Sequence, residues 1–211
     1  MYHSQSRGPM DRAIAMPADA GETLFVQSEA CESLCEIRCG IARAIDLSRD
    51  GERQVMAFFF PGDFLGLPLT IGHRFSAEAV GPLMFARHSS AKWQAELASP
   101  SQANANWASE AIWREEKAFM MRGLILGRVG ALARVSAFLD YVMPRLPRDG
   151  QIIEFSLPQA DIASYLALSP ETVCRTLKQL REHRVIAMPR KNRLIMQRAD
   201  QLAMIAQGTH I

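Results

Sequence analysis

The spacing of hydrophobic residues changes character twice along this chain, and the changes divide it into segments. Residues 1–20 show no period and read as a loose arm. Short apolar runs then lie between turn signals, at 22–26, 36–37, 41–47, 54–60, 75–80 and 83–88, and predict strands. The breaks contain Gly40, the hairpin-like Arg49-Asp50-Gly51, and Pro61-Gly62-Asp63. Strands at this spacing predict a small antiparallel roll or barrel over 21–106. A helical period begins near Ala91 and, after a polar interruption at 99–106, runs over 107–143 without a proline. Ile112, Phe119, Met120, Leu124, Val129, Leu132, Val135, Phe138, Leu139 and Val142 recur there at three- and four-residue steps. As one helix this segment is about 55 Å long, more than a small domain is wide, so a second copy of the chain is its expected partner. The other reading is two shorter helices broken near Gly127 or Gly130.

Pro144, Pro147 and Asp149-Gly150 end the helical period and mark a hinge before a last domain at 144–211. A strand at 152–155 precedes a helix at 159–166. Ser169 can then cap a second helix, with Pro170 at its first position and Glu171 in its first turn, running to about 183. Strands at 185–188 and 193–196 follow, joined by a basic tip. The chain as a whole is thus expected to be α+β: an N-terminal antiparallel β-roll, a long dimerisation helix, and a C-terminal winged helix-turn-helix. In such a motif the second helix enters the major groove of DNA. Val173, Leu177 and Leu180 make its buried stripe, while Glu171, Cys174, Arg175 and Lys178 face the other way. Arginine donates two bonds to guanine O6 and N7 and glutamate accepts from cytosine N4, which makes Glu171, Cys174 and Arg175 the candidate base readers. Gln159, Ser169, Thr172, Lys178, Arg190 and Lys191 are the candidate contacts to the DNA backbone.

Charge sharpens the picture once it is divided by position. Residues 144–211 carry ten Lys/Arg against six Asp/Glu, a balance of +4, which leaves 14 against 16 in the first 143 of the 211 residues. The C-terminal excess fits a polyanion partner, and equally a solvated basic face on charge alone. With 48% hydrophobic and 22% charged residues the chain is expected to be globular, in two domains. Its longest apolar run, 55–60, is far below a membrane span, and its first twenty residues lack a signal-peptide pattern, so a cytoplasmic location is expected. Cys31, Cys35, Cys39 and Cys174 are too few for a disulfide scaffold. In an extended segment Cys35 and Cys39 share a face with Ile37, so Cys35 reads as a small buried hydrophobe rather than a cluster ligand. Neither His73 nor His88 is assigned a metal, and no catalytic set can be read, so neither an enzyme nor a cofactor is expected.

Residues 159–180, with the core Asp161-Ile162-Ala163-Ser164-Tyr165-Leu166-Ala167-Leu168-Ser169-Pro170-Glu171-Thr172-Val173-Cys174-Arg175, closely resemble the helix-turn-helix of the Crp/Fnr superfamily of bacterial transcription regulators. Gly21-Glu22-Thr23-Leu24-Phe25 and Pro61-Gly62-Asp63-Phe64-Leu65-Gly66 resemble motifs of its β-roll sensor domain. Glu171 and Arg175 fit the Glu-x-x-Ser-Arg pattern of the Fnr and FixK branches, with Cys174 in place of serine, and Pro170 stands where catabolite-activator types carry a further arginine. The resemblance implies a homodimer on double-stranded DNA, a palindromic operator of TTGA-like half-sites, RNA polymerase as partner, and control of low-oxygen or nitrogen-fixation genes. It also implies redox inactivation through Cys174, whose place near a helix start and beside Arg175 favours the thiolate; the plainer reading is a small contact residue standing in for serine. Relatives that bind a cyclic nucleotide have Gly-Glu-Leu after the Pro-Gly-Asp turn and a later Arg-Ser. This chain has Gly66-Leu67-Pro68 and Phe75-Ser76, with Arg74 one residue away, so cAMP is not expected. A second reading is a regulator whose β-roll binds a small molecule or gas that gates DNA binding.

Overall fold

The computed structural model describes residues 13–47, 51–98 and 102–209. They form two compact units, Met1–Phe119 and Met120–Ile211. In the first, eight strands build two four-stranded antiparallel sheets. β1 (Ala15–Ala18), β8 (Leu83–Ser89), β3 (Ser33–Cys39) and β6 (Phe64–Leu65) lie in that order in one sheet; β2 (Thr23–Phe25), β7 (Ser76–Ala79), β4 (Ala42–Leu47) and β5 (Arg53–Phe59) make the other. Burial along β8 alternates at each end but shifts by one residue in the middle: Leu83 and Phe85 are buried on one face and Ala86 and His88 on the other, with Met84, Arg87 and Ser89 exposed. The core is aromatic: Phe59, Phe75 and Phe119 pack with ring centres 5.0 to 6.1 Å apart, and His73 stacks on Phe25 at 3.9 Å.

The expected roll is therefore present, with two strands that the apolar pattern does not reveal. β1 lies in the segment read as an arm. Its sequence, Ala-Met-Pro-Ala, has no alternation, and it forms because β8 offers a free edge for pairing. β6 is only two residues and is held against Cys35 and Glu36 of β3. The Arg49-Asp50 part of the expected hairpin lies outside the described residues.

Helix α1 (Ser90–Leu97) leads to α2 (Gln102–Leu126), followed by α3 (Ala131–Val142). The single helix expected over 107–143 is thus corrected to two helices. Gly130 takes φ +85°, outside the helical region, where a side chain would be strained, and the apolar period runs on across the break without revealing it. In the second unit α3 packs with α6 (Ala199–Ala206), a helix not foreseen, and with α5 (Pro170–Glu182). The sheet there has the order β11 (Ile186–Arg190), β12 (Arg193–Met196), β10 (Ile152–Glu154), β9 (Arg148–Asp149). None of the described helices is long and apolar enough to cross a membrane.

Candidate nucleic-acid interface

Helix α4 (Gln159–Leu166) ends where Ala167 adopts a left-handed conformation, φ 50° and ψ 48°, and the Leu168 amide bonds back to the Ala163 carbonyl at 3.0 Å. The chain thereby turns in three residues. Ser169 then caps α5: its Oγ accepts from the Thr172 amide at 3.1 Å and meets Thr172 Oγ1 at 2.8 Å, and Pro170 occupies the first helical position. Val173, Leu177 and Leu180 are buried, as the spacing predicts, and Thr176 joins them by donating to the Thr172 carbonyl at 2.8 Å. From α2, Arg122 donates Nε to the Tyr165 carbonyl at 3.0 Å and so ties down the last turn of α4. Burial lowers the pKa of that guanidinium and raises that of the Tyr165 phenol. The sequence gives no sign of the Arg122 contact, which joins residues more than 40 positions apart.

With one face of α5 fixed inward, Glu171, Cys174, Arg175 and Lys178 are all exposed on the other. Among the described residues no ion pair joins Glu171 to Arg175, so the side chains are not spent on each other. Lys178 reaches Glu182 at 3.6 Å, an exposed pair worth only a few tenths of a kcal/mol. Arg190 and Lys191 are exposed at the tip of the β11–β12 wing. Arg193, opposite Arg190 beside that tip, pairs with Glu154 of β10 at 3.0 Å, and the Phe155 amide donates to the Asn192 carbonyl at 2.9 Å. Gln159 is half-buried at the start of α4, while Ser169 and Thr172 are engaged in the cap, so the backbone candidates fall into a wing group, a helix-start group and Lys178 farther along α5.

The cysteines of the first unit occupy separate environments. Cys35 is buried, and burial pushes its thiol up to about 12; Cys39 is exposed; Cys31 Sγ donates to the Gly66 carbonyl at 3.1 Å. Among the described residues no group of three or more potential ligands is placed to hold a metal ion. His73 is sandwiched beside Phe25, and His88 Nε2 meets Glu36 Oε2 at 3.0 Å. Glu115, on α2, is a buried acid bonded to Arg74 and to the Gly66 and Leu67 amides. It was not singled out from the sequence, although its place on the stripe of Ala111, Ala118 and Phe119 is the signal that could have found it.

A β-roll in one unit and a winged helix-turn-helix with an exposed polar face on its second helix in the other define a transcription regulator of the Crp type, not an enzyme. In agreement, residues 133–205 match the Crp-like helix-turn-helix domain and residues 16–99 the cyclic nucleotide-binding domain. The nitrogen fixation regulation protein FixK of Bradyrhizobium diazoefficiens is 33% identical over 172 residues, 80% of this chain and 72% of that protein. The transcriptional activatory protein AadR of Rhodopseudomonas palustris is 34% identical over 86% of this chain and 78% of its own length. The structure of FixK2 from Bradyrhizobium japonicum superposes with a TM-score of 0.85 at 25% identity, covering 94% of this chain and 99% of that one. The chain belongs to the FixK family.

Proposed function

We propose that this regulator works as a homodimer on a palindromic operator of TTGA-like half-sites, with Glu171, Cys174 and Arg175 of α5 reading bases and the wing residues Arg190 and Lys191 holding phosphates. The observation that carries this reading is the exposed Glu171–Cys174–Arg175–Lys178 stripe set opposite the buried Val173–Leu177–Leu180 stripe on a capped helix. Dimerisation is supported by α2, where Trp113, Met120 and Leu124 are exposed and fall with Lys117 at steps of four, three and four, the spacing of a coiled-coil seam. Lys117 Nζ lies 4.5 Å from the Trp113 ring centre and covers part of that face. The names of the relatives support nitrogen-fixation genes as targets, and low-oxygen genes, RNA polymerase as the partner at the promoter and the cytoplasm as the location belong to the same proposed reading.

No cofactor enters this reading, and cAMP is not its effector: the groups suited to a cyclic phosphate already serve Glu115. Cys174 gives the operator surface a redox response. Peroxide takes the thiolate to sulfenic acid with release of hydroxide, and further oxidation to sulfinate sets a negative charge against the phosphates.

The test is binding to duplexes carrying one or two half-sites about one helical turn apart, followed by fluorescence anisotropy, with sedimentation of the free protein. A dimer that binds the double site far more tightly than the single site is the expected result. A monomer at micromolar concentration that binds a single half-site tightly would overturn the reading.

A further inference from the structure

One polar cluster in the first unit is not used in operator reading. The Gly66 and Leu67 amides donate to Glu115 Oε1 at 2.8 and 3.3 Å, and Arg74 Nη2 donates to Oε2 at 3.0 Å. Backbone dipoles thus hold one carboxylate oxygen and a guanidinium the other, with the Glu115 side chain only 1% exposed. Arg74 is itself fixed, by Glu116 Oε1 at 2.6 Å and by the face of Phe119 at 5.8 Å. The loop is fixed as well. Gly66 has φ +73°, and a Cβ there would lie 2.8 Å from ring carbons of Phe25. The other titratable groups around the carboxylate are Cys31, whose thiol donates to the Gly66 carbonyl, His73, whose ring lies against Gly66, and Glu116 on the helix itself.

Two adjacent amides and an arginine converging on one point form the donor set that proteins use for phosphates and carboxylates. We infer that the Gly66–Leu67 turn and Arg74 form an anion-binding cradle whose resident ligand is the chain's own Glu115 carboxylate, delivered by α2. A tethered anion acts at a high effective concentration, so it outcompetes free oxyanions of ordinary affinity. The matched domain thereby keeps α2 seated on its β-roll without a small-molecule effector. This assignment is independent of operator reading, because none of its residues lies in the second unit.

Chemical rescue of the full-length chain tests it. Thermal unfolding of Glu115→Ala is followed in sodium acetate or inorganic phosphate and compared with chloride at equal ionic strength. At about ten times the dissociation constant of the probe, the midpoint of the variant should rise by roughly 3–5 °C and then saturate. The wild type should not show this rise, and neither should the double variant Glu115→Ala/Arg74→Ala. Equal rises in all three proteins, or rescue that persists without Arg74, would overturn the proposal. Amide NMR of the wild type gives a second test that needs no folded variant. The Gly66 and Leu67 amide protons should shift with the same midpoint as the Glu115 carboxyl carbon, and amide signals that stay fixed while that carboxyl titrates would refute the contact.

Discussion

Replacing Arg175 with alanine separates base reading from general attraction to DNA. The guanidinium stands on the exposed face of α5, while the helix is held by its buried stripe and by the Ser169 cap, so the truncation should change folding stability by no more than about 0.5 kcal/mol. A bidentate arginine–guanine contact discriminates by about 1–3 kcal/mol, and a dimer on a palindrome makes it twice. The variant should therefore lose roughly 2–6 kcal/mol on the intact operator, or about 30-fold to 10⁴-fold in affinity. It should lose far less on an operator whose two guanines are already replaced, because the wild type has already given up the same contacts there. Anisotropy titrations at fixed salt, with both proteins on both duplexes, complete the cycle. Lys178→Ala is the control, since loss of a phosphate contact weakens all sequences alike and lowers the salt slope by about one. Equal losses for Arg175→Ala on operator and on random DNA would refute the base-reading role.

Further outcomes follow from the same geometry. Ser169→Ala removes the cap on the Thr172 amide and should cost about 1 kcal/mol, or a midpoint lower by roughly 2–4 °C in calorimetry. Ala167→Gly relieves a left-handed alanine and should raise the midpoint by a degree or more; a fall would contradict the turn geometry. Burial raises the Glu115 carboxyl to about 7, above its usual 4.5, against the downward pull of Arg74 and the Gly66 and Leu67 amides, so the cradle holds the anion above about 7 and below it the folded state binds the proton more tightly than the unfolded one. That contribution to stability is complete below about 4.5 and is lost as the pH rises through about 7, a change of about 3 kcal/mol, and unfolding of Glu115→Gln in urea should show a correspondingly flatter dependence on pH over this range. Peroxide should lower operator affinity of the wild type but not of Cys174→Ser. The redox assignment fails if Cys174→Ser stays sensitive while a variant that lacks Cys31, Cys35 and Cys39 but keeps Cys174 becomes resistant.

The helix-turn-helix was legible almost to the residue because its signals are local. Ser169-Pro170-Glu171 marks the start of α5, and Val173, Leu177 and Leu180 set its rotation within three turns. The break at Gly130 was offered by the sequence only as an alternative, since Leu132, Val135, Phe138 and Leu139 continue the apolar period beyond it and a period does not report the dihedral angle of one glycine. Glu115 was missed for another reason, although it falls on the stripe of Ala111, Ala118 and Phe119. Among Arg114, Glu116 and Lys117 it resembles part of a solvated face, and its burial depends on a turn and an arginine more than 40 residues earlier in the chain. β1 likewise owes its existence to β8, over 60 positions away.

The pairing of β1 with β8 also bears on where this chain can safely be shortened. Ala15 to Ala18 align with Ala86 to Leu83 and occupy the hydrogen-bonding groups along that side of β8, whose other side is taken by β3. A protein begun at residue 21, where the apolar period first becomes visible, would leave a seven-residue strand with one bare border and the inward side chains Leu83 and Phe85 beside it. Bare borders of this kind recruit strands from other molecules. Such a shortened protein should therefore precipitate or form strand-paired aggregates, although every residue of its operator-binding surface would be intact.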